Sequence, residues 1–191
     1  MEFEKKQKNF AGFTLIEIIV ALNLFILVMS ALIGLFFNAL QAQKRALATQ
    51  ELMDSISYNM EYMSRAIRMA RKELSDPPAC LSDRGLNYEL TYGGNGLKFI
   101  NYKDVCQEFF LDNGNGRIYE TKNGETFPLT PANLEVISFQ FGGSETWGQE
   151  ERTQPRVILF LEIKGKGEKP ELQPELKIQT TISQRNLNVR Y

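Results

Sequence analysis

The stretch IIVALNLFILVMSALIGLFFNALQAQ, Ile18–Gln43, decides the fold of this chain. It contains no charged residue, and Leu, Ile, Val, Phe, Ala and Met dominate it. A helix of about 20 apolar residues spans a bilayer, so this stretch is long enough to cross one. Asn23, Ser30, Gly34 and Asn38 interrupt it, but small and polar residues are tolerated where membrane helices meet. We therefore predict one membrane-spanning helix.

The charges that flank this stretch favour one orientation only slightly. Lys5, Lys6 and Lys8 precede it, and Lys44 and Arg45 follow it. Cytoplasmic flanks carry the basic excess, so we expect a short N-terminal leader in the cytoplasm and the rest of the chain outside it. A conventional signal peptide is disfavoured, because the apolar stretch is too long and no small-residue cleavage site follows it.

A single carboxylate, Glu17, lies at the start of the apolar stretch. Burying a carboxylate in hydrocarbon costs about 3 kcal/mol unless the group is paired or neutralised. A plain membrane anchor has no reason to carry that cost. The position of Glu17 therefore indicates a functional residue that has a partner.

The residues around Glu17 match a known processing motif. Gly12–Val20, GFTLIEIIV, closely resembles the prepilin motif of type IV pilins and type II secretion pseudopilins. The resemblance implies that a prepilin peptidase removes a leader, residues 1–12, by cutting after Gly12, and then methylates the new N-terminal amine of Phe13. It also implies that Glu17 forms a salt bridge with the Phe13 ammonium of a neighbouring filament subunit, since a buried charge is tolerable when an opposite charge matches it.

A second apolar pattern predicts that the helix continues beyond the membrane. Residues spaced three and four apart form one apolar helix face: Leu52, Ile56, Met60, Met63, Ile67, Ala70 and Leu74. Pro77 and Pro78 then end the helix, because proline cannot continue the hydrogen-bond ladder. We predict a helix from about Phe13 to Leu74. Residues 13–43 form its transmembrane or filament-core half, and residues 44–76 form its amphipathic half.

The remaining residues, 77–191, change to short apolar segments separated by turn residues. The predicted strands are Leu86–Tyr92, Leu97–Tyr102, Val105–Leu111, Arg117–Thr121, Leu134–Phe141, Val157–Ile163 and Leu176–Ser183. The predicted turns are Gly93-Gly94-Asn95-Gly96, Asn113-Gly114-Asn115-Gly116 and Asn123-Gly124. The expected fold class is α+β, with a long N-terminal helix whose second half packs on an antiparallel β-sheet head.

Three of these strands carry a more specific prediction. In Leu134–Phe141, the alternation of Ile137, Phe139 and Phe141 places these three side chains on one face. The segment Val157–Ile163 is nearly all apolar, which is typical of a central strand. The last strand is expected to place the following residues on one face: Leu176, Ile178, Thr180 and Ile182.

Composition disfavours several classes of function. The chain has 22 basic and 23 acidic residues, so it lacks the basic excess of a nucleic-acid-binding protein. It has no histidine, the commonest general base and zinc ligand. We expect no enzymatic activity, catalytic residue, metal or cofactor. The segment Asp112–Gly116, DNGNG, is similar to a calcium loop, but the EF-hand spacing and its distal glutamate are missing, and a hairpin turn explains it better.

Three further residues in the head raise structural alternatives. Cys80 and Cys106 would form one disulfide in an exported domain and remain thiols in a cytosolic one. Because we expect the head outside the cytoplasm, we predict the disulfide, which stabilises by about 3–4 kcal/mol in the chain-entropy model.

Trp147 lies in the polar loop Gly143–Pro155. It either anchors an interface or folds back on its own head. This loop and Gly165–Pro174 are either contact surfaces or solvated linkers.

The end of the last strand narrows the resemblance. Ile178–Asn186 looks like the last strand of W-type minor pilins and J-type minor pseudopilins. This implies a minor subunit that starts assembly or sits at the filament tip; the alternatives are a major pilin, or a membrane-anchored exported binding domain unrelated to filaments. The implied partners are other pilins or pseudopilins, the prepilin peptidase, the inner-membrane assembly platform and, before assembly, membrane lipid. The implied location is the cytoplasmic (inner) membrane with the head outside, then the pilus or pseudopilus.

Overall fold

The computed structural model describes residues 12–147, 154–167, 170 and 173–185. Within them the chain forms one long helix, α1, Leu15–Arg68, followed by strands of antiparallel sheet. The strands are β1 Tyr88–Thr91, β2 Gly96–Ile100, β3 Cys106–Asp112, β4 Arg117–Lys122, β5 Glu125–Pro128, β6 Leu134–Gly142, β7 Arg156–Gly165 and β8 Glu175–Ser183. The predicted α+β class is confirmed. The chain divides into two compact units, an N-terminal unit, Met1–Lys44, and a C-terminal unit, Arg45–Tyr191.

The strands of the C-terminal unit form two antiparallel sheets. The first has the order β1-β2-β3-β4-β5, and the second has the order β6-β7-β8. Both predicted hairpins are present, because β1 pairs with β2 and β3 pairs with β4, and Asn123-Gly124 turns β4 into β5. Strand β7 is the central strand of its sheet, as its apolar sequence predicts. The residues predicted on one face of β8 are also the less exposed ones of that strand.

The core of the C-terminal unit lies between the second half of α1 and the sheets. The helix contributes Leu52, Ile56, Met63, Ile67 and, just after its end, Ala70, all of them buried. The strands contribute a larger set: Tyr88, Leu97, Phe99, Phe109, Leu111, Ile118, Leu134, Val136, Phe139, Phe141, Val157, Leu159, Leu161, Ile163 and Ile182. The apolar stripe predicted for the helix is therefore its core face.

The helix ends at Arg68, six residues before the predicted end at Leu74. The Met69 and Ala70 N–H groups still donate to helix carbonyls, but the groups around them bond to distant parts of the chain. The Arg185 N–H donates to the Arg68 carbonyl oxygen at 2.8 Å, and the Arg71 N–H donates to the Ile100 carbonyl oxygen at 2.8 Å. Leu74 consequently lies outside the helix and is 51% exposed. Apolar spacing alone cannot reveal this end, because the competing donors and acceptors come from distant parts of the chain.

Strand β6 departs from the predicted alternation at one residue. Its pairing with β7 shifts between Val136 and Ser138, which places a β-bulge at Ile137. The extra residue changes the face that the following side chains occupy. Ile137 is therefore 46% exposed, while Val136, Phe139 and Phe141 are buried. The prediction that Ile137 shares a face with Phe139 and Phe141 is wrong.

Candidate functional site

The residues that resemble the prepilin motif lie at the start of α1. Gly12, Phe13 and Thr14 precede the helix, and residues 1–11, which belong to the predicted leader, lie outside the described part of the chain. Phe13 is 77% exposed. Apart from Gly12 itself and its two chain neighbours, no heavy atom of the described structure lies within 4 Å of the position that a Cβ on Gly12 would occupy. The fold of this chain therefore does not itself require glycine at position 12.

Glu17 caps the N-terminus of its own helix together with Thr14. The Glu17 N–H donates to Thr14 Oγ1 at 3.4 Å, and the Thr14 N–H donates to Glu17 Oε2 at 3.4 Å. This reciprocal pair is a capping box. It places a carboxylate at the positive end of the helix dipole, which favours negative charge. Sequence analysis missed this role of Thr14, although the spacing Thr-x-x-Glu is a recognisable signal for it.

The helix surface that follows Glu17 is apolar and unburied. The exposed large apolar side chains are Leu15, Ile16, Ile18, Ile19, Val20, Leu22, Leu24, Phe25, Ile26, Leu27, Val28, Met29, Leu32, Ile33, Leu35, Phe36 and Phe37. Polar side chains among them bond to the backbone of the same helix: Asn23 Nδ2 donates to the Ile19 carbonyl oxygen at 3.0 Å, and Ser30 Oγ donates to the Leu27 carbonyl oxygen at 2.8 Å. The helix is long and apolar enough to cross a membrane. These two bonds lower the cost of placing the Asn23 amide and the Ser30 hydroxyl in hydrocarbon.

The predicted disulfide is present in the C-terminal unit. Cys80 and Cys106 are bonded, with an S–S distance of 2.06 Å. Cys80 belongs to the segment between α1 and β1, and Cys106 begins β3. The bond therefore fastens the segment that follows the helix to the five-stranded sheet.

A buried carboxylate, Glu73, organises the same segment. Its side chain accepts backbone N–H bonds from Ser75 at 2.9 Å, Ala79 at 3.2 Å, Cys80 at 2.9 Å and Leu81 at 3.5 Å. Burial raises the pKa of Glu73, but the hydrogen bonds donated to its carboxylate outweigh burial and leave the pKa lowered. Sequence analysis missed this residue, because a lone glutamate after a helix carries no distinguishing pattern.

A second buried polar network joins α1 to the five-stranded sheet. The Tyr62 hydroxyl lies 2.8 and 2.9 Å from the two carboxylate oxygens of Glu120. Gln107 Nε2 donates to Glu120 Oε1 at 2.6 Å, and Asn101 Nδ2 donates to Gln107 Oε1 at 3.0 Å. Burial, and then the hydrogen bond and charge of Glu120, raise the pKa of the Tyr62 hydroxyl. Each side chain in this network satisfies a hydrogen-bonding group of the next one. The network therefore favours one rotation of the helix on the sheet.

Trp147 folds back on its own unit and does not form an exposed anchor. Its ring is buried and makes an edge contact with Tyr88 at a centroid distance of 5.5 Å. Its Nε1–H donates to the Arg156 carbonyl oxygen at 2.7 Å. This settles the open alternative for Trp147. Most of the loop that follows it, including Glu150 and Glu151, lies outside the described residues.

The loop Asp112–Gly116 adopts the predicted hairpin turn. Asp112 Oδ1 accepts the Gly114 N–H at 2.9 Å, and the Asp112 carbonyl oxygen accepts the Gly116 N–H at 2.9 Å. Gly116 has a φ of +64°, which favours glycine there. Across the described residues, no group of three or more His, Cys, Asp or Glu side chains is placed to hold a metal ion. No protein-family model, curated protein or solved structure matches this chain.

Proposed function

We propose that this chain is a structural subunit of a type IV pilus or a related pseudopilus. In this proposal the prepilin peptidase cuts after Gly12, the amine of Phe13 is methylated, and the N-terminal unit passes from the membrane into the core of a filament. The head, on the outer side of the membrane, contacts other pilins or pseudopilins. The assembly platform in the inner membrane adds the subunit to the filament.

The observation that carries the proposal is a carboxylate at the start of an exposed apolar helix. Glu17 precedes a helical surface that no part of the described chain covers, and that surface is suited to lipid or to other apolar helices. The only described groups that hold the carboxylate are the Thr14 N–H and hydroxyl, at 3.4 and 3.5 Å. These long bonds leave Glu17 able to accept a stronger, charged partner. The methylated ammonium of Phe13 in a neighbouring subunit is such a partner.

The freedom around Gly12 supports the processing step. Because nothing in the described structure crowds position 12, a requirement for glycine there comes from outside the fold. An enzyme that binds the extended segment at Gly12-Phe13 would impose that requirement. Exposed Phe13 is accessible to the same enzyme.

We propose a minor subunit that starts the filament or sits at its tip, on the resemblance of Ile178–Asn186 to the last strand of minor pilins and pseudopilins. Asn186 lies outside the described residues. Whether the parent machine is a pilus, a type II secretion system or a competence system is decided by which other subunits purify with this chain.

The rival proposal is a membrane-anchored exported binding domain, in which α1 is only an anchor. Mass spectrometry of the chain from the membrane or filament fraction separates the two. We expect a mature N-terminus at N-methylated Phe13. A chain that retains Met1, or one cut well beyond the apolar stretch, contradicts the filament proposal.

Two glycine substitutions provide an internal check. Gly12→Val should block removal of the leader and leave the unfolding of the C-terminal unit unchanged. Gly34→Val, at a position equally free of neighbours, should be processed normally.

A further inference from the structure

The outer edge of β8 is the longest uninterrupted sheet edge among the described residues. Within them, β8 pairs with β7 and with no other strand. It has nine residues, Glu175–Ser183, with no proline and no register shift. A strand at the edge of a sheet presents backbone N–H and C=O groups that can pair with a strand of another chain.

Hydrogen bonds at both ends of β8 show which of its backbone groups face outward. The Gly165 N–H donates to the Pro174 carbonyl oxygen at 2.9 Å, and the Gln184 N–H donates to the Pro155 carbonyl oxygen at 2.9 Å. Both bonds continue the register of β7 with β8, and opposed residues of an antiparallel pair alternate between bonded and non-bonded pairs. The even-numbered residues of β8 therefore bond to β7. The backbone groups of the odd-numbered residues face away from β7: Glu175, Lys177, Gln179, Thr181 and Ser183.

The other three sheet edges are interrupted. Strands β1 and β5 have only four residues each, and Pro128 in β5 has no N–H to donate. Strand β6 is as long as β8, but the bulge at Ile137 breaks its ladder, and the Val136 N–H already donates to the Gly116 carbonyl oxygen at 2.8 Å. Short strands, prolines and bulges protect sheet edges against pairing with other chains. Strand β8 has none of these three features.

A lysine can also protect an edge, but the lysine of β8 is already paired within the sheet. Lys177 Nζ lies 2.9 Å from Glu162 Oε1 and 3.2 Å from Glu175 Oε1. These two carboxylates compensate its charge. Lys177 therefore does not oppose an incoming strand as an unpaired charge would.

Charges on the outer face of this sheet alternate from strand to strand. Glu135 on β6 lies opposite Lys164 on β7, which lies opposite Glu175 on β8. In the neighbouring row, Glu162 on β7 lies opposite Lys177 on β8. Opposite charges on directly opposed residues stabilise a sheet, and like charges destabilise it. A strand added beyond β8 therefore fits best with a basic residue opposite Glu175 and an acidic residue opposite Lys177.

We propose that the outer edge of β8 binds an extended segment of a different protein as an additional antiparallel strand. In chain order, this segment carries an acidic, an apolar and a basic residue, which lie opposite Lys177, Leu176 and Glu175. Leu176 and Ile178 are only partly buried against the core, so apolar residues opposite them would cover them. An antiparallel strand continues the pattern of every strand pair in the two sheets. This interaction goes beyond the proposed function, because it depends on the C-terminal unit alone.

A second copy of this chain fits the edge poorly. Its own β8 contains Glu175-Leu176-Lys177, which has the required order of charges. Pairing Glu175 of one copy with Lys177 of the other overlaps the two strands over only three residues, because each strand begins at Glu175. Most of the outer edge would then stay unpaired. The same order of charges in β7 is not available, since β7 is paired on both sides.

Binding of two synthetic peptides to the detergent-solubilised full chain tests the proposal. The probe peptide, Thr-Val-Thr-Val-Thr-Val-Glu-Val-Lys, places its glutamate opposite Lys177 and its lysine opposite Glu175 when it pairs antiparallel with β8. The control peptide has the glutamate and the lysine exchanged, so its composition is the same. Both carry an N-terminal dye and a C-terminal amide, and fluorescence anisotropy measures their Kd. We expect the probe to bind about three- to thirtyfold more tightly than the control, the range for two exposed ion pairs.

Amide hydrogen exchange, measured by NMR, locates the bound peptide. Without peptide, the amides of Lys177, Gln179 and Thr181 should exchange faster than those of Ile178 and Thr180, which bond to β7. At a probe concentration about nine times its Kd, roughly nine-tenths of the chain is bound. Exchange at the three odd-numbered amides should then slow roughly tenfold, while the other two amides keep their rates.

Two substitutions at one position separate the backbone from the side chain. Gln179→Pro removes one outward-facing N–H and none of the bonds to β7, and proline is tolerated at such positions of edge strands. It should weaken probe binding at least about tenfold, which corresponds to the loss of one strand hydrogen bond and its neighbours. Gln179→Ala keeps the N–H and should bind the probe like the unmodified chain. Urea unfolding checks that both variants fold.

A charge exchange tests the side-chain pattern without a proline. The double variant Glu175→Lys with Lys177→Glu should reverse the preference, so that the control peptide binds more tightly than the probe. If Gln179→Pro fails to fold, this variant carries the test. An unchanged preference contradicts the assigned charge pairs.

The remaining outcomes are equally decisive. Equal binding of the two peptides, binding of neither, or binding that leaves the odd-numbered amides unprotected overturns the proposal. Odd-numbered amides that exchange slowly before peptide is added show that another part of the chain covers the edge, and a dimer that Gln179→Pro abolishes shows that a second copy does; both overturn it. None of these measurements depends on cleavage after Gly12. Failure of this proposal therefore leaves the proposed function intact, and an uncleaved leader leaves this proposal intact.

Discussion

The Tyr88 hydroxyl donates a 2.8 Å hydrogen bond to the carbonyl oxygen of Ile67, in the last turn of α1. Carbonyls in the last turn of a helix lack their regular intrahelical partners. Tyr88 is buried, and burial raises the pKa of its hydroxyl, so this group stays a neutral donor. The first strand thus provides the cap for the end of the helix.

Removing this hydroxyl should destabilise the C-terminal unit. Tyr88→Phe keeps the ring packing against Trp147 but removes the side-chain donor of the Ile67 carbonyl oxygen, which then keeps only the Ala70 N–H at 3.1 Å. We expect a cost of about 1 kcal/mol, the typical net contribution of one hydrogen bond. The free energy of unfolding of the detergent-solubilised chain, measured in urea by circular dichroism, checks this. Tyr119→Phe is the matched control, because the Tyr119 hydroxyl bonds only to the exposed Asn115 side chain at 2.8 Å among described residues. Equal effects of the two changes would contradict the capping role.

Glu73 should make the free energy of unfolding depend on pH in the acidic range. Its folded-state pKa lies below the ordinary value of 4.5, so its carboxylate stabilises the fold fully above that value. The contribution is lost as the pH falls from about 4.5 through the lower folded pKa, because the folded state must then take up a proton that it disfavours. Glu73→Gln should cost about 2–3 kcal/mol at pH 7 and flatten this part of the stability profile. Glu125→Gln, on an exposed strand, should leave the profile unchanged. An unaltered acid profile in Glu73→Gln would show that another carboxylate is responsible.

Reduction of the disulfide should loosen the segment between α1 and β1. The bond closes a loop between residues 26 apart, so its loss should lower the free energy of unfolding by about 3–4 kcal/mol in the chain-entropy model. Urea unfolding with and without a reductant measures the difference. The double variant Cys80→Ala and Cys106→Ala should match the reduced protein and show no response to the reductant. If the reductant also changes the free energy of unfolding of that double variant, the change does not come from the Cys80–Cys106 bond.

Glu17→Ala should separate processing from assembly. The proposed peptidase site at Gly12-Phe13 is retained, so we expect mature chains that begin at Phe13. We expect these chains to remain in the membrane fraction, because the charge proposed to pair with the neighbouring ammonium is gone. Glu17→Gln can still accept the Thr14 N–H but lacks the charge, so it should fail in the same way. Normal entry of either variant into filaments would show that the pairing assigned to Glu17 is wrong.

Much of the fold can be predicted from local sequence patterns. The parts that cannot be predicted in this way depend on contacts between residues that are far apart in the sequence. The hairpins are predictable because glycine and asparagine at their turns satisfy the backbone within a few residues. The end of α1 at Arg68 is not, because the Arg185 N–H and the β2 backbone compete for its polar groups. The bulge at Ile137 likewise depends on the pairing with the partner strand. An apolar residue at this position does not indicate that its side chain will be exposed.

The candidate site divides in the same way. The positions of Gly12, Phe13 and Glu17 at the start of an apolar helix could be predicted, because they are neighbours in sequence. The capping box with Thr14 was also readable from the four-residue spacing. The Glu73 carboxylate could not be anticipated, since its donors converge only after the segment folds around it.

A hydrogen bond between the segment just after α1 and the residue just after β8 has a consequence for biosynthesis. Gln184 Nε2 donates to the Ala70 carbonyl oxygen at 2.7 Å, across 114 residues of sequence. At a synthesis rate of about 5–20 residues per second, those residues take roughly 6–23 s to emerge. Throughout that interval the Ala70 carbonyl oxygen lacks this donor. The helix is therefore synthesised first, but the segment at its end receives this hydrogen bond last. The rate of translation sets the earliest time at which the bond can form.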